Sequence, residues 1–300
     1  MAEGEREVAE SRGSTQGGGF MLITPTELQE MLGDSRCVVF DCRHDLADPA
    51  KGERLYREGH LPGAHFVRVD SDLSGEKNGR TGRHPLPSPE AFAAFLGRHG
   101  VTPESRVVAY DDAGGQYASR LWWMARWIGC DVVSLLDGGV SRWQREGRPL
   151  DTRVPQARPA VLVPEVKEET VCTVADVEVN LARGEAVILD ARAPERYRGE
   201  TEPIDRVAGH IPGAVNRFFK ENLRPDLTFR PAEELRREFA ALVAAAGGRP
   251  IVHQCGSGIT ACANLFAMEY AGLRGSRLFA GSWSEWIADP RRPIATGAGP

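Results

Sequence analysis

The feature that most constrains this chain is that it repeats itself. Asp41 closes the apolar run Cys37-Val38-Val39-Phe40, and Asp190 closes Ala186-Val187-Ile188-Leu189 at an offset of 149. Gly59-His60-Leu61-Pro62-Gly63-Ala64 returns as Gly209-His210-Ile211-Pro212-Gly213-Ala214, offset by 150. Further on the offset is 143, which pairs Gly115 with Gly258, Ala118 with Ala261, Gly138 with Gly281 and Trp143 with Trp286. Landmarks kept in one order at nearly one spacing imply two copies of one domain.

Local signals give each copy its class. Thr24-Pro25-Thr26-Glu27 supplies a cap, a proline at the first helical position and an acid at the third, so a helix is expected to about Leu32. Ser88-Pro89-Glu90 opens another, through Leu96, and Tyr117 to Ile128 forms a third, stopped by Gly129. Between them, Cys37–Phe40, Val107–Tyr110 and Val132–Leu136 are short apolar runs without alternation, the pattern of parallel strands covered on both faces. The expected fold is therefore α/β, two tandem domains, each a mainly parallel sheet flanked by helices. We divide the chain into a disordered tail (1–19), a first domain (20–146), a linker rich in proline and charge (147–169) and a second domain (170–300).

Composition excludes several classes. A net charge of -5 with both signs interspersed leaves no basic footprint for nucleic acid and no polybasic patch for a membrane. No apolar run approaches the ~18 to 20 residues of a membrane span, and the acidic, polar start lacks the apolar core of a signal peptide. The six cysteines show no C-x-x-C pair, so neither a zinc site nor a dithiol motif is expected, and free thiols point to a reducing cytoplasm. No metal or organic cofactor is called for.

One cysteine stands apart. Ile251-Val252 runs into Cys255-Gly256-Ser257-Gly258-Ile259-Thr260, and a helical stretch from Ala261 to Ala271 follows, which reads as strand, cysteine loop, helix. Backbone amides turned inward at a helix start suit an anionic sulfur. At the offset of 143, Asp112 of the first copy faces Cys255, and a carboxylate is no sulfur nucleophile. Only the second copy is expected to be catalytic, with the first as scaffold and one wall of the site. A cysteine-dependent phosphatase would need an arginine six positions after the cysteine. Ala261 stands there.

The two-copy pattern, G-H-[LI]-P-G-A in each copy, Trp122-Trp123-Met124 and the single loop CGSGIT resemble the rhodanese superfamily of sulfurtransferases from about Thr24 to Pro293. Within it the loop is similar to the branch that uses 3-mercaptopyruvate, since the thiosulfate-using branch carries Arg and Lys where this chain has Gly256 and Ser257. The resemblance implies Cys255 as sulfur carrier, Arg196 and Arg206 as substrate arginines, and Asp70, His84 and Ser257 as a proton-handling set. The loop amides of Gly256, Gly258, Ile259 and Thr260 would hold the charged sulfur. It also implies a small sulfur donor, transfer through a Cys255 persulfide, and thioredoxin, another thiol or cyanide as acceptor. Thiosulfate is the alternative donor, and a noncatalytic persulfide-binding or redox-sensing module the alternative role. His60 and His210 recur in both copies and are read as structural; Trp122, Trp123 and Trp127 are read as packing, and Cys262 as a buried helix cysteine.

Overall fold

The structure, a computed structural model, describes residues 21–299. The tail expected over 1–19 lies outside the described residues. One sheet is built from β1 (Leu22–Ile23), β2 (Cys37–Asp41), β3 (Ala64–Phe66), β4 (Arg106–Tyr110) and β5 (Val133–Leu136) in the order β1-β5-β4-β2-β3. The other contains β6 (Val171–Cys172), β7 (Val187–Asp190), β8 (Val215–Asn216), β9 (Ile251–Gln254) and β10 (Arg277–Phe279) in the matching order β6-β10-β9-β7-β8. Every pairing in both sheets is parallel. Parallel neighbours need crossovers, and helices supply them on both faces.

Helices α1 (Pro25–Met31), α2 (Lys51–Glu58), α3 (Pro89–Arg98), α4 (Ala118–Trp127) and α5 (Gly139–Arg145) serve the first sheet. The second is served by α6 (Val174–Arg183), α7 (Pro194–Tyr197), α8 (Ala232–Ala245), α9 (Thr260–Tyr270) and α10 (Ser282–Trp286). The local signals act as their chemistry dictates. Thr24 and Glu27 form a reciprocal capping box at α1, and Ser88 caps α3 through the amide of Ala91. Two helices carried no strong sequence signal: α2, with few apolar residues, and α8, which buries only Leu235 and Phe239 fully along its length.

The repeat extends to side-chain detail. Arg43 pairs with Asp41 at 2.6 Å and donates to the carbonyl of Gly59 at 2.8 Å; Arg192 does the same with Asp190 and Gly209 at the same distances. His60 stacks on Tyr56 and bonds its carbonyl, as His210 does with Tyr197, so both histidines hold turns.

The two domains share one apolar interior. Helix α4 of the first packs against α9 of the second, with the Trp122 and Phe266 rings edge to face at 5.0 Å and an Arg126–Glu269 ion pair at the margin. Trp122 is 1% exposed, and truncating such a side chain costs about 3–5 kcal/mol. Because α4 and α9 each follow the loop at the end of a central strand, their contact brings the two loops to one interdomain seam. Among the described residues no helix is long and apolar enough to cross a membrane.

Candidate active site

The Cys255 loop leaves β9 and enters α9 within five residues. Cys255 is 2% exposed, and its Sγ receives the amides of Gly258 at 3.1 Å and Ser257 at 3.5 Å. The loop is braced from behind: Ser282 Oγ accepts the Cys255 amide, and the amides of Trp283 and Ser284 donate to the carbonyls of Cys255 and Gly256. Gly258 has φ +79°, and a Cβ there would lie 2.2 Å from the Ala280 carbonyl oxygen, so no other residue fits without moving the strand behind.

Gly256 is small for another reason. A Cβ at this position would come within 2.8 Å of Arg83 Nη2 and within 3.7 Å of both terminal nitrogens of Arg196. Two guanidinium groups therefore lie over the loop, one from each domain. Their acidic partners hold them there: Glu202 and Asp205 bond Arg196 at 2.7 and 3.1 Å, and Asp205 also pairs with Arg83. Arg83 Nη2 and Arg196 Nη1 make no hydrogen bond with any described residue and remain free to receive a ligand anion.

Arg206, expected beside Arg196, does not line this cavity. Its guanidinium donates to the carbonyl of Ile287 instead. Arg83 stands over the loop beside Arg196, where Arg206 was expected, and spacing within the second domain could not have revealed it. The residue lies in the first domain, immediately before His84.

Asp70, His84 and Ser257 form one hydrogen-bonded chain across the domain seam. His84 Nδ1 lies 2.8 Å from Ser257 Oγ, and His84 Nε2 lies 3.1 Å from Asp70 Oδ1. Burial, then the nearby charge of Arg120, pushes the His84 pKa down to about 4 against the pull of Asp70. The neutral ring therefore accepts from the Ser257 hydroxyl and donates to Asp70. Arg120, fully buried on α4, donates to the carbonyls of His84 at 3.1 Å and Gly258 at 3.2 Å, fastening the histidine loop to the cysteine loop. A helical arginine two residues ahead of Trp122 gives no sign of this in the sequence.

The facing loop of the first domain corrects one expectation. Asp41 pairs with Tyr110 and Asp190 with Gln254, so the residue aligned with Cys255 is Asp111 rather than Asp112. The offset is 144 at the strands (Tyr110 to Gln254) and 143 at Gly115 and Gly258, so the first loop carries one more residue ahead of that glycine, and an offset measured on the helices is one short at the strand. The Asp111 carboxylate accepts four amides, from Ala113, Gly115, Tyr117 and Ala118, at 2.7–2.9 Å. Burial pushes its pKa up, and these four donors oppose that.

Cys255, Gly256, Ser257, Ile259, Thr260, Arg83, His84 and Arg196 line a cavity of about 280 Å³, closed on other sides by Phe218 and Phe219. Gly258 is not a lining residue but turns its amide to the sulfur. Cys262 is buried on α9, its thiol donating to the Gly258 carbonyl at 3.3 Å and pushed up to about 12 by burial. Among the described residues no three His, Cys, Asp or Glu side chains gather as a metal site.

The model for the Rhodanese-like domain matches residues 24–146 and 173–289. The chain belongs to the rhodanese family. It is 46% identical over 281 residues to a probable 3-mercaptopyruvate sulfurtransferase of Pseudomonas aeruginosa, covering 92% of this chain and 98% of that one. It is also 38% identical to a putative thiosulfate sulfurtransferase of Mycobacterium tuberculosis, over 94% of this chain and 99% of the relative. Among solved structures, the 3-mercaptopyruvate sulfurtransferase from Leishmania major superposes with a TM-score of 0.80 at 29% identity, covering 93% of this chain and 77% of that one. As a rhodanese, the chain carries its cysteine loop in the second of its two domains.

Proposed function

We propose that this rhodanese is a 3-mercaptopyruvate sulfurtransferase working through a Cys255 persulfide. The observation that carries the choice of donor is the Asp70–His84–Ser257 chain beside the sulfur. When sulfur leaves mercaptopyruvate, the departing carbon must gain a proton. When it leaves thiosulfate, sulfite departs and no carbon is protonated. A proton path beside the nucleophile is thus of use only to the first donor. The absence of basic residues in the loop does not separate the donors, because Arg83 and Arg196 bring positive charge over it from elsewhere.

Arg196 and Arg83 hold the substrate carboxylate and keto oxygen with their free donors. Cys255 Sγ attacks the substrate sulfur; the new S–S bond forms as the carbon–sulfur bond breaks. The thiol proton of the substrate passes by way of Ser257 and His84 to the enolate carbon, and pyruvate leaves. The amides of Ser257 and Gly258 carry the sulfur charge in both states. A thiol such as thioredoxin, or cyanide, then takes the outer sulfur. The six unpaired thiols fit the reducing cytoplasm, which we propose as its location.

Measured with both donors, kcat/KM is expected to be higher for mercaptopyruvate, and Ser257→Ala is expected to slow that donor about tenfold or more while leaving thiosulfate within threefold. An equal loss with both donors would remove the argument. The second reading, a thiosulfate sulfurtransferase, gains support from the Mycobacterium relative and predicts the reverse preference.

A further inference from the structure

His44 follows β2 at the position that Ala193 occupies in the second domain, and the reaction above leaves it without a task. Its side chain is 6% exposed, yet Nε2 has no hydrogen-bond partner, and no described residue bonds Nδ1. The ring stands edge-on to Tyr117 at 5.0 Å, with Nε2 turned to Asp70 Oδ2 at 4.0 Å. Asp70 therefore faces two imidazoles, His84 through one oxygen and His44 through the other. Burial keeps the His44 pKa below its ordinary value, against the carboxylates of Asp70 and Asp45, so the ring is neutral at pH 7.

Position gives this neutral ring a purpose. A larger cavity of about 840 Å³ adjoins the Cys255 cavity, and His44, Leu46, Tyr117 and Ile204 line both. His44 thus stands where a second reactant coming from solvent meets the sulfur. That reactant, a thiol, must lose a proton before it can attack, because the thiolate is the nucleophile. His84 reaches a reactant only through Ser257 and does not line the larger cavity, whereas His44 does.

Resting on the sulfur-transfer reading, we propose that the acceptor thiol enters through the larger cavity and that His44 removes its proton. The Asp70 carboxylate, 4.0 Å from Nε2, favours hydrogen on that nitrogen by its charge, leaving the Nδ1 lone pair to accept the proton, and steadies the imidazolium once formed. The acceptor thiolate attacks the outer sulfur of the Cys255 persulfide. A new S–S bond forms to that sulfur, the bond to Cys255 Sγ breaks, and Cys255 is released as its thiolate. The acceptor leaves as a persulfide, and the proton on His44 returns to solvent. One carboxylate thereby serves two histidines in the two halves of the cycle.

The test uses His44→Phe, which keeps a ring against Tyr117 and removes both nitrogens, with His44→Gln as a second variant. Single-turnover pyruvate release reads the first half separately and is expected to fall less than transfer to 2-mercaptoethanol does. Transfer from the preformed persulfide is then measured at pH 8.5 to 2-mercaptoethanol, mostly protonated there, and to the more acidic 2,2,2-trifluoroethanethiol, mostly ionised. The first is expected to slow about 100-fold, the size of a typical general-base contribution, and the second less than fivefold. Equal losses with both thiols, or no loss with either, would overturn the role of His44, and the ratio holds however much folded protein each variant yields. If the parent forms no persulfide at Cys255 by mass spectrometry, the sulfur-transfer reading itself fails.

Discussion

The loops after β4 and β9 are the same piece of architecture finished in two ways. Each leaves a central parallel strand, turns through a glycine at positive φ and starts a helix, and each has its first carbonyl capped by an amide from beyond the next strand, Val140 to Asp111 and Trp283 to Cys255. In the first loop the ring of amides is filled by the chain's own carboxylate. In the second it surrounds a sulfur that also faces a cavity, with two amides on it instead of four. The comparison teaches that an inward-turned amide loop is an anion holder by geometry, and that the residue at its first position decides between a fastened structural element and a reactive one.

The largest way to break the comparison is to give the second loop a poor nucleophile. Cys255→Ser is expected to lower sulfur transfer by more than about 10⁴-fold with the thermal midpoint little changed, since a hydroxyl fits the same amides; steady-state pyruvate release checks it. The reciprocal change, Asp111→Cys, should create no activity, because Arg83 and Arg196 lie over Gly256 and not over the first loop. Detectable persulfide at residue 111 would contradict this.

Next come the cations that distinguish the second loop. Arg196→Ala and Arg83→Ala are each expected to reduce kcat/KM for mercaptopyruvate by about 100-fold, in the range for truncating one side of a desolvated charge pair. Arg206→Ala should change it less than about threefold, since its guanidinium is engaged with Ile287. A large effect at Arg206 with a small one at Arg83 would restore the assignment that the resemblance suggested.

Removing the first loop's carboxylate tests its structural half. Asp111→Ala leaves four amides without their acceptor and is expected to destabilise by about 3 kcal/mol, with Asp111→Asn less severe because one oxygen remains. Chemical denaturation reads both.

The smallest effect concerns the strand beneath. Where β4 has Ala109, β9 has His253, fully buried with neither ring nitrogen partnered and pushed down to about 3 by burial. His65 and His84 are likewise held neutral, down to about 4. A depressed folded value means that the unfolded chain binds more protons, so stability is complete above about pH 6.5 and is lost as pH falls toward the folded values. Each histidine should contribute about 1 kcal/mol of this loss by pH 5.5. His253→Leu is expected to flatten the acid limb of stability against pH; an unchanged slope would show that the ring is not the origin.

Much of this was legible in the chain itself. The parallel sheets, the capped helices and the repeat follow from patterns spread over many residues, where each local preference agrees with its neighbours. The cysteine loop was legible too, because a strand, two glycines and a helix start lie within one short stretch. What failed was register: a one-residue insertion in the first loop shifts strand from helix and made Asp112 look like the partner of Cys255, and spacing alone cannot say on which side of a turn an insertion falls.

The sequence by itself determined two α/β copies with one cysteine loop, because periodicity and residue type are local properties. Only the tertiary structure decided which side chains gather around that loop. Arg83, Arg120 and His44 come from the first domain and Arg196 from the second, and Arg206, near Arg196 in the chain, turns elsewhere. The physical reason is the α4–α9 contact: burying Trp122 against Phe266 sets the domains in one orientation, and that orientation selects the groups at the seam.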